Sequence, residues 1–326
     1  MPFRVVEASD GRSVQAAVSG DRTRVRLAAM RKIVLLDAPS NLGLRPPIPG
    51  TIPGCYKLAG ALRDQRLLER LGAAEGGVVV PPRYDLGDWK LGDGVFNARA
   101  LAGYTRRLAN RLERHLRTGE FTVVLGGDCS ILLGSALALR RVGRFGLAFI
   151  DGHSDFRHVG NSAGVGAAAG EDLALVTGRG QPDLTDLEGL GPYVQDEDLS
   201  VLGIRDDDEA RDELAALKIQ HAVVEDIRQK CAESVAREAL SRLESAELNG
   251  FWMHIDADIL DPSVMPAVDS PDPNGLTVDE VRVLLRTLAV SPRCVGLQLT
   301  VYDPDLDFDA FGAMLLADLL EHALAS

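Results

Sequence analysis

A chain of 326 residues is long enough for one large α/β domain, and its balance of 46% hydrophobic and 25% charged residues excludes a disordered or fibrous protein. A formal net charge of −13 argues against non-specific nucleic-acid binding, no apolar run reaches the ~20 residues of a membrane span, and Met1–Asp10 lacks the apolar core of a secretory signal. These features predict a cytoplasmic protein that binds neither nucleic acid nor membrane. The four cysteines, Cys55, Cys129, Cys231 and Cys294, form no Cys-x-x-Cys pair, which speaks against a disulfide scaffold or a zinc ribbon. Cys55, Cys231 and Cys294 are expected to be ordinary buried or half-buried residues.

Residues 1–29 show no convincing apolar period and read as an N-terminal arm or extension, with 30–326 as a single domain. From there strand-like and helix-like segments alternate. Strands are predicted at Lys32–Asp37, Gly77–Val80, Thr122–Leu125, Gly146–Ile150, Leu199–Gly203, His221–Glu225, Gly250–Ile255 and Cys294–Leu299. Apolar residues at three- and four-residue steps predict helices over Asn97–Arg117, Ser130–Arg141, Arg228–Leu248, Val278–Ala289 and Ala310–Ala325. Thr277 with Glu280 forms a capping box before Val278, and Asp309 can cap the last helix. The alternation predicts a three-layer α/β/α fold around a central, mostly parallel eight-stranded sheet. Pro- and Gly-rich loops at Ser40–Gly54, Val159–Gly170 and Asp261–Gly275 follow strand ends, where open α/β sheets bind ligands.

Three of the apolar runs end in potential metal donors: Val123 to Cys129, Leu147 to Asp155, and Phe251 to Asp258. Side chains two apart on an extended segment share a face, so Asp151, His153 and Asp155 can converge, as can Asp256 and Asp258. Four carboxylates and an imidazole in mutual reach repel unless cations lie between them. So acidic a group suggests two divalent ions, and mostly oxygen donors with one nitrogen suit manganese better than structural zinc. Asp128 and Asp261 fit turn-holding roles instead.

These segments also carry a family resemblance. Asp151-Gly-His-Ser-Asp155 resembles the Asp-Ala-His-x-Asp signature of the arginase, agmatinase and formimidoylglutamase group, the ureohydrolases. Asp256-Ala-Asp-Ile-Leu-Asp-Pro262 resembles the group's Asp-x-Asp-x-x-Asp-Pro signature, and Gly126-Gly-Asp-Cys-Ser130 its Gly-Gly-Asp-His-Ser signature with one change. The resemblance spans about Met30 to Leu324. It implies an arginase-like fold and a homo-oligomer, a trimer or hexamer. It also implies two manganese ions per chain, bridged by Asp151 and Asp256. Cys129 and Asp155 would complete one ion, and His153 and Asp258 the other. The implied activity is hydrolysis of a linear amidine or guanidino C–N bond in a small-molecule substrate, with a metal-bridging hydroxide as nucleophile.

Three departures qualify the resemblance. Cys129 stands where the relatives have histidine, and a softer, oxidisable thiolate admits another divalent metal such as zinc or iron. Ala169 stands where arginases carry a loop histidine that shuttles protons. Asp155, His254 and His158 are therefore the candidate catalytic residues, with Glu171 a further substitute for the shuttle, and His254 is expected beside Asp256 as a supporting or substrate-facing group. The last strand, Gly296 to Pro304, lacks the glutamate that pairs with a guanidinium. Neutral Thr300 or Gln298 would hold such a group less firmly, so plain L-arginine is disfavoured as substrate. Arg157 is a candidate for a substrate carboxylate, and Arg205, Asp206 and Asp208 resemble a segment that contacts the amino-acid end of substrates. Two other readings remain: a catalytically weak or metal-depleted homologue acting as a binding or oligomeric protein, and a zinc deacetylase-like enzyme. The latter is disfavoured because no His-His pair occurs.

Overall fold

Alternation of apolar side chains along the strands feeds two separate cores, one on each face of a single sheet. In the computed structural model, which describes residues 31–325, the strands are β1 (Ile33–Asp37), β2 (Ala74–Val78), β3 (Phe121–Leu125), β4 (Gly146–Ile150), β5 (Leu199–Ile204), β6 (Gln220–Val223), β7 (Phe251–Asp256) and β8 (Cys294–Thr300). They pair in parallel throughout, in the order β2-β1-β3-β8-β7-β4-β5-β6. Leu35, Val123, Ala148, Met253 and Leu297 face one core, closed by helices Leu58–Asp64, Ala232–Leu243, Val278–Ala289 and Phe311–Leu324. Leu36, Val124, Phe149 and Trp252 face the other, closed by helices Ala98–Arg117 and Leu132–Val142. Covering both faces lets an all-parallel sheet bury its apolar strands.

The expected fold class is the one observed, and most element bounds agree to within two residues. Two predicted elements differ, and the helix Leu58–Asp64 was not predicted. β2 begins three residues earlier than predicted and contains Gly77 at φ +77°, where the register against β1 shifts, so the bulge interrupts the period-two signal. The helix predicted over Arg228–Leu248 is two, Val224–Lys230 and Ala232–Leu243, because Cys231 adopts φ +67°. That break leaves Cys231 exposed at the junction, contrary to expectation, with Sγ 3.2 Å from Ser234 Oγ. Cys55 and Cys294 are buried. The proposed arm over 1–29 lies outside the described residues.

The strand order makes β3, β8, β7 and β4 consecutive neighbours at the centre of the sheet. Their C-terminal ends therefore deliver Cys129, Thr300, Asp256 with Asp258, and Asp151 to one place. At the other end of the Asp261–Gly275 loop, the capping box forms as expected: Thr277 Oγ1 accepts from Glu280 N at 3.3 Å, and Glu280 Oε2 accepts from Thr277 N at 2.8 Å. Thr277→Ala should lower unfolding free energy by about 1 kcal/mol, and Thr277→Ser should restore most of it, as read by denaturant titration.

Candidate metal centre

Each strand end is shaped by a close backbone contact. After β3, a Cβ on Gly127 would lie 1.6 Å from Ser40 O, so only glycine permits the preceding loop to pack there. Asp128 then caps the short turn Cys129–Ile131, accepting from Ser130 N and Ser40 Oγ, both at 2.9 Å, and the turn directs Cys129 inward. After β4, Asp151 Oδ1 accepts from His153 N at 2.7 Å, and Asp155 sits in left-handed backbone at φ +44°. After β7, Asp256 Oδ1 accepts from Asp258 N at 2.8 Å. Asp258 Oδ1 accepts from Gly152 N at 3.1 Å, joining the β4 and β7 loops.

Two sets of donors result, and they share Asp151. Cys129, Asp151, His254 and Asp256 offer donor atoms all within 4.8 Å of one another, and so do Asp151, His153 and Asp258. Cys129 Sγ lies 2.7 Å from Asp256 Oδ2, and His153 Nδ1 lies 2.9 Å from Asp258 Oδ2. Asp151 Oδ2 and His254 Nε2 are buried without a hydrogen-bond partner and face each other at 3.6 Å. Ligand bonds of ~2.0–2.3 Å place neighbouring donors roughly 3–4 Å apart, so this spacing suits a cation. Asp155 belongs to neither tight set but lines the same cavity.

The electrostatics point the same way. Burial, then the facing carboxylates, push the Asp151 and Asp256 carboxyls well above the usual range, and the same causes push up the Cys129 thiol. Asp155 is raised to about 7, mainly by burial. Burial alone would lower His153, yet Asp258, Asp155 and Asp272 raise it to about 10. Asp258 resists burial because His153 and Arg205 hold it below its ordinary value. Without a cation, the cluster lowers its charge by holding protons. Bound divalent cations would supply the compensating charge, and the donors present fit them.

The other predicted residues separate into those that line the cavity and those that do not. The cavity is about 660 Å³, with Cys129, His153, Asp155, Asp256 and Asp258 among its lining, together with Arg45, Arg157 and Glu171 and, from the loop after β7, Asp269 and Asp272. His254 is fully buried behind the floor, with burial lowering it to about 3. His158 is bonded to Glu213 Oε1 at 2.9 Å, away from the lining. Thr300 is buried as well: it donates to Ile255 O and accepts from Cys129 Sγ at 3.2 Å, so it supports the thiol instead of facing the cavity. Asp208 accepts from Ser154 N at 2.8 Å and holds the β4 loop, while Asp206 is exposed and accepts from Glu225 N. Arg205 donates to the carbonyls of Asp258 and Asp272, both at 2.8 Å.

Sequence reasoning missed Arg45, which lines the cavity from the Ser40–Gly54 loop, and two further contributors. Val301 lines the cavity just past β8 because its φ of +72° turns the chain there. A β-branched residue gives no sequence signal for that conformation. Asp272 reaches His153 Nε2 at 3.0 Å from the Pro-rich loop after β7. The run of prolines and aspartates marked the loop but not its partner.

Comparison with known proteins agrees with this geometry. The Arginase family profile matches residues 49–325. The arginase of Bacillus caldovelox is 28% identical over 284 residues, covering 85% of this chain and 93% of its own. Its crystal structure superposes with a TM-score of 0.82 at 25% identity, covering 91% of this chain and 99% of that one. Formimidoylglutamase from Bacillus subtilis shares the fold at a TM-score of 0.67 and 19% identity, over 98% of this chain and 95% of that one.

Because the Asp155 carboxyl is raised, the stability it contributes is present below its unfolded value near 3.8 and is lost as pH rises through about 7. At pH 8 in chelator, Asp155→Asn should therefore stabilise the protein, on the order of 1 kcal/mol. With divalent cation present the same substitution should lower bound metal. Thermal unfolding with and without chelator, alongside elemental analysis, checks both signs.

Proposed function

The chain belongs to the arginase family, and from that premise we propose that it is a dinuclear manganese-dependent hydrolase of linear guanidino or amidino C–N bonds whose substrate is not plain L-arginine. The hydrolase activity on linear amidines follows from the family. The observation that supports a metal-dependent mechanism is the buried carboxylate cluster on the cavity floor, with Asp151 Oδ2 left without a partner. In this reading Cys129, Asp151, His153, Asp155, Asp256 and Asp258 would together hold two divalent ions. Cys129 also admits a softer divalent ion. When bound, such ions supply Lewis acidity and an acidified water as nucleophile.

The chain's own residues handle the substrate. The acidic floor attracts the cationic amidine end. Arg157 and Arg45 on the wall favour a carboxylate at the other end, with Arg157 oriented by Glu209 and Arg45 bonded to Gly164 O at 2.9 Å. Past β8 the wall is the apolar Val301, so no carboxylate at that position grips a guanidinium. These features favour an amidino or guanidino compound that carries a carboxylate at its other end. Glu171 lines the cavity close to Gly170 and Arg157, and burial, opposed by bonds from Gly166 and Ala167 N–H groups, raises its carboxyl to about 7. A carboxyl at that value can hold a proton near neutral pH and give it to the leaving amine, a role left open by Ala169.

Protein purified with manganese should contain two ions per chain and release urea or ammonia from at least one member of a panel of guanidino and formimidoyl acids. Metal-free protein that stays folded and inert toward the panel would sink the proposal. Arg157→Ala should raise KM for carboxylate-bearing substrates about tenfold with kcat little changed. Glu171→Gln should lower kcat about 100-fold with metal content retained.

A further inference from the structure

On the face of the sheet covered by helices Ala98–Arg117 and Leu132–Val142, three neighbouring strands carry Phe149, His254 and Gln298 side by side. The His254 ring stacks on Phe149, with centroids 4.6 Å apart and planes 15° apart, which restrains the imidazole plane. Gln298 is fully buried, and its neighbours distinguish the two ends of its amide. The Trp252 indole N–H can only donate, and it lies 3.2 Å from Gln298 Oε1. Ser135 Oγ lies 2.6 Å from the same oxygen. The amide oxygen is thus committed to Trp252 and Ser135, and the NH2 group faces His254 Nδ1 at 2.8 Å. An N–H pointing at Nδ1 requires a lone pair there. The ring is then neutral and its single proton is on Nε2, the atom that lies among Cys129, Asp151 and Asp256.

We propose that Gln298 is a positioning residue that locks His254 in its Nε2–H form, so that His254 directs a donor at the Asp151 carboxylate instead of joining the neighbouring donors as a metal ligand. The inference rests on the reading of this floor as a divalent-cation site. Reversing the amide would set the Trp252 N–H against the Gln298 NH2 group and orphan a buried donor, at a cost of about 1–3 kcal/mol. The lock withholds a nitrogen from a site that already has a thiol. With Cys129, Asp151 and Asp256, an Nε2 lone pair would complete a closed four-donor set of the kind that captures zinc. Withholding it leaves a coordination position for water or substrate.

Gln298→Glu reverses the logic with little change of shape. A carboxylate accepts from Trp252, from Ser135 and from a proton on Nδ1, so the Nε2 lone pair turns toward the cation. Long-range 15N–1H NMR of the metal-free wild type should place the His254 proton on Nε2, and the Gln298→Glu protein should carry it on Nδ1. In zinc titrations the variant should bind roughly 10- to 100-fold more tightly than wild type, and zinc-edge X-ray absorption should show one additional imidazole. A wild-type proton on Nδ1 would overturn the proposal without reference to any variant. So would a folded variant with unchanged zinc affinity and an unchanged zinc shell. Tautomers as expected, in a protein that takes up no zinc or manganese in either form, would overturn the metal reading and leave the Gln298 assignment standing.

Discussion

The structure depends on burying several carboxylates together at the C-terminal ends of parallel strands. Each is held by a backbone N–H on one oxygen: Asp151 by His153, Asp256 by Asp258, and Asp258 by Gly152. These bonds commit one oxygen to loop geometry, and the other oxygens face the thiol of Cys129, His153 and, for Asp151, His254 Nε2 at 3.6 Å. The loops therefore do more than carry ligands, since their backbone decides which oxygen is free. The cost is crowded negative charge at low dielectric, which protons relieve partly and cations relieve better. Arg205, buried beneath Asp258 and bonded to its carbonyl, contributes fixed positive charge from below.

Much of this was legible in the sequence because it rests on short-range regularities. Period-two alternation put Asp151 and Asp256 at strand ends, and strand–helix alternation predicted a mostly parallel sheet that brings those ends together. What the sequence did not disclose depends on single dihedral angles or distant partners. Val301 lines the cavity through a left-handed backbone that valine rarely adopts, and Cys231 splits a predicted helix in the same way. Thr300 was legible as a strand-end residue, but its direction toward Cys129 follows from its register opposite Asp256 on β7. Likewise nothing local in Gly203–Asp208 shows that Arg205 and Asp208 brace loops from beneath.

The resulting cavity carries both signs of charge. Buried Asp256 and Asp258 line it with half-buried His153 and Asp155, exposed Arg45, Arg157, Asp269 and Asp272 line it too, and an apolar valine stands where the chain leaves the last strand. The paired Glu209 tempers Arg157 but does not cancel its direction, because the Arg157 Nη1 atom approaches Gly170 on the cavity wall.

Cys129 alters the charge of the proposed centre as well as its softness. In the proposed centre, the carboxylates of Asp151, Asp155, Asp256 and Asp258 would balance the charge of two divalent ions. A thiolate adds one negative charge that a neutral imidazole at the same place would not. Its surroundings oppose forming that charge without metal: Asp256 lies 2.7 Å away, and Thr300, whose own proton goes to Ile255 O, offers only lone pairs. The thiol therefore keeps its proton until a cation arrives, and binding through Cys129 must expel it. Such a site couples metal uptake to proton release more strongly than one with histidine there. In the proposed tautomer, the Nε2–H of His254 would give Asp151 a neutral donor from outside the cavity, leaving the added charge to the cations.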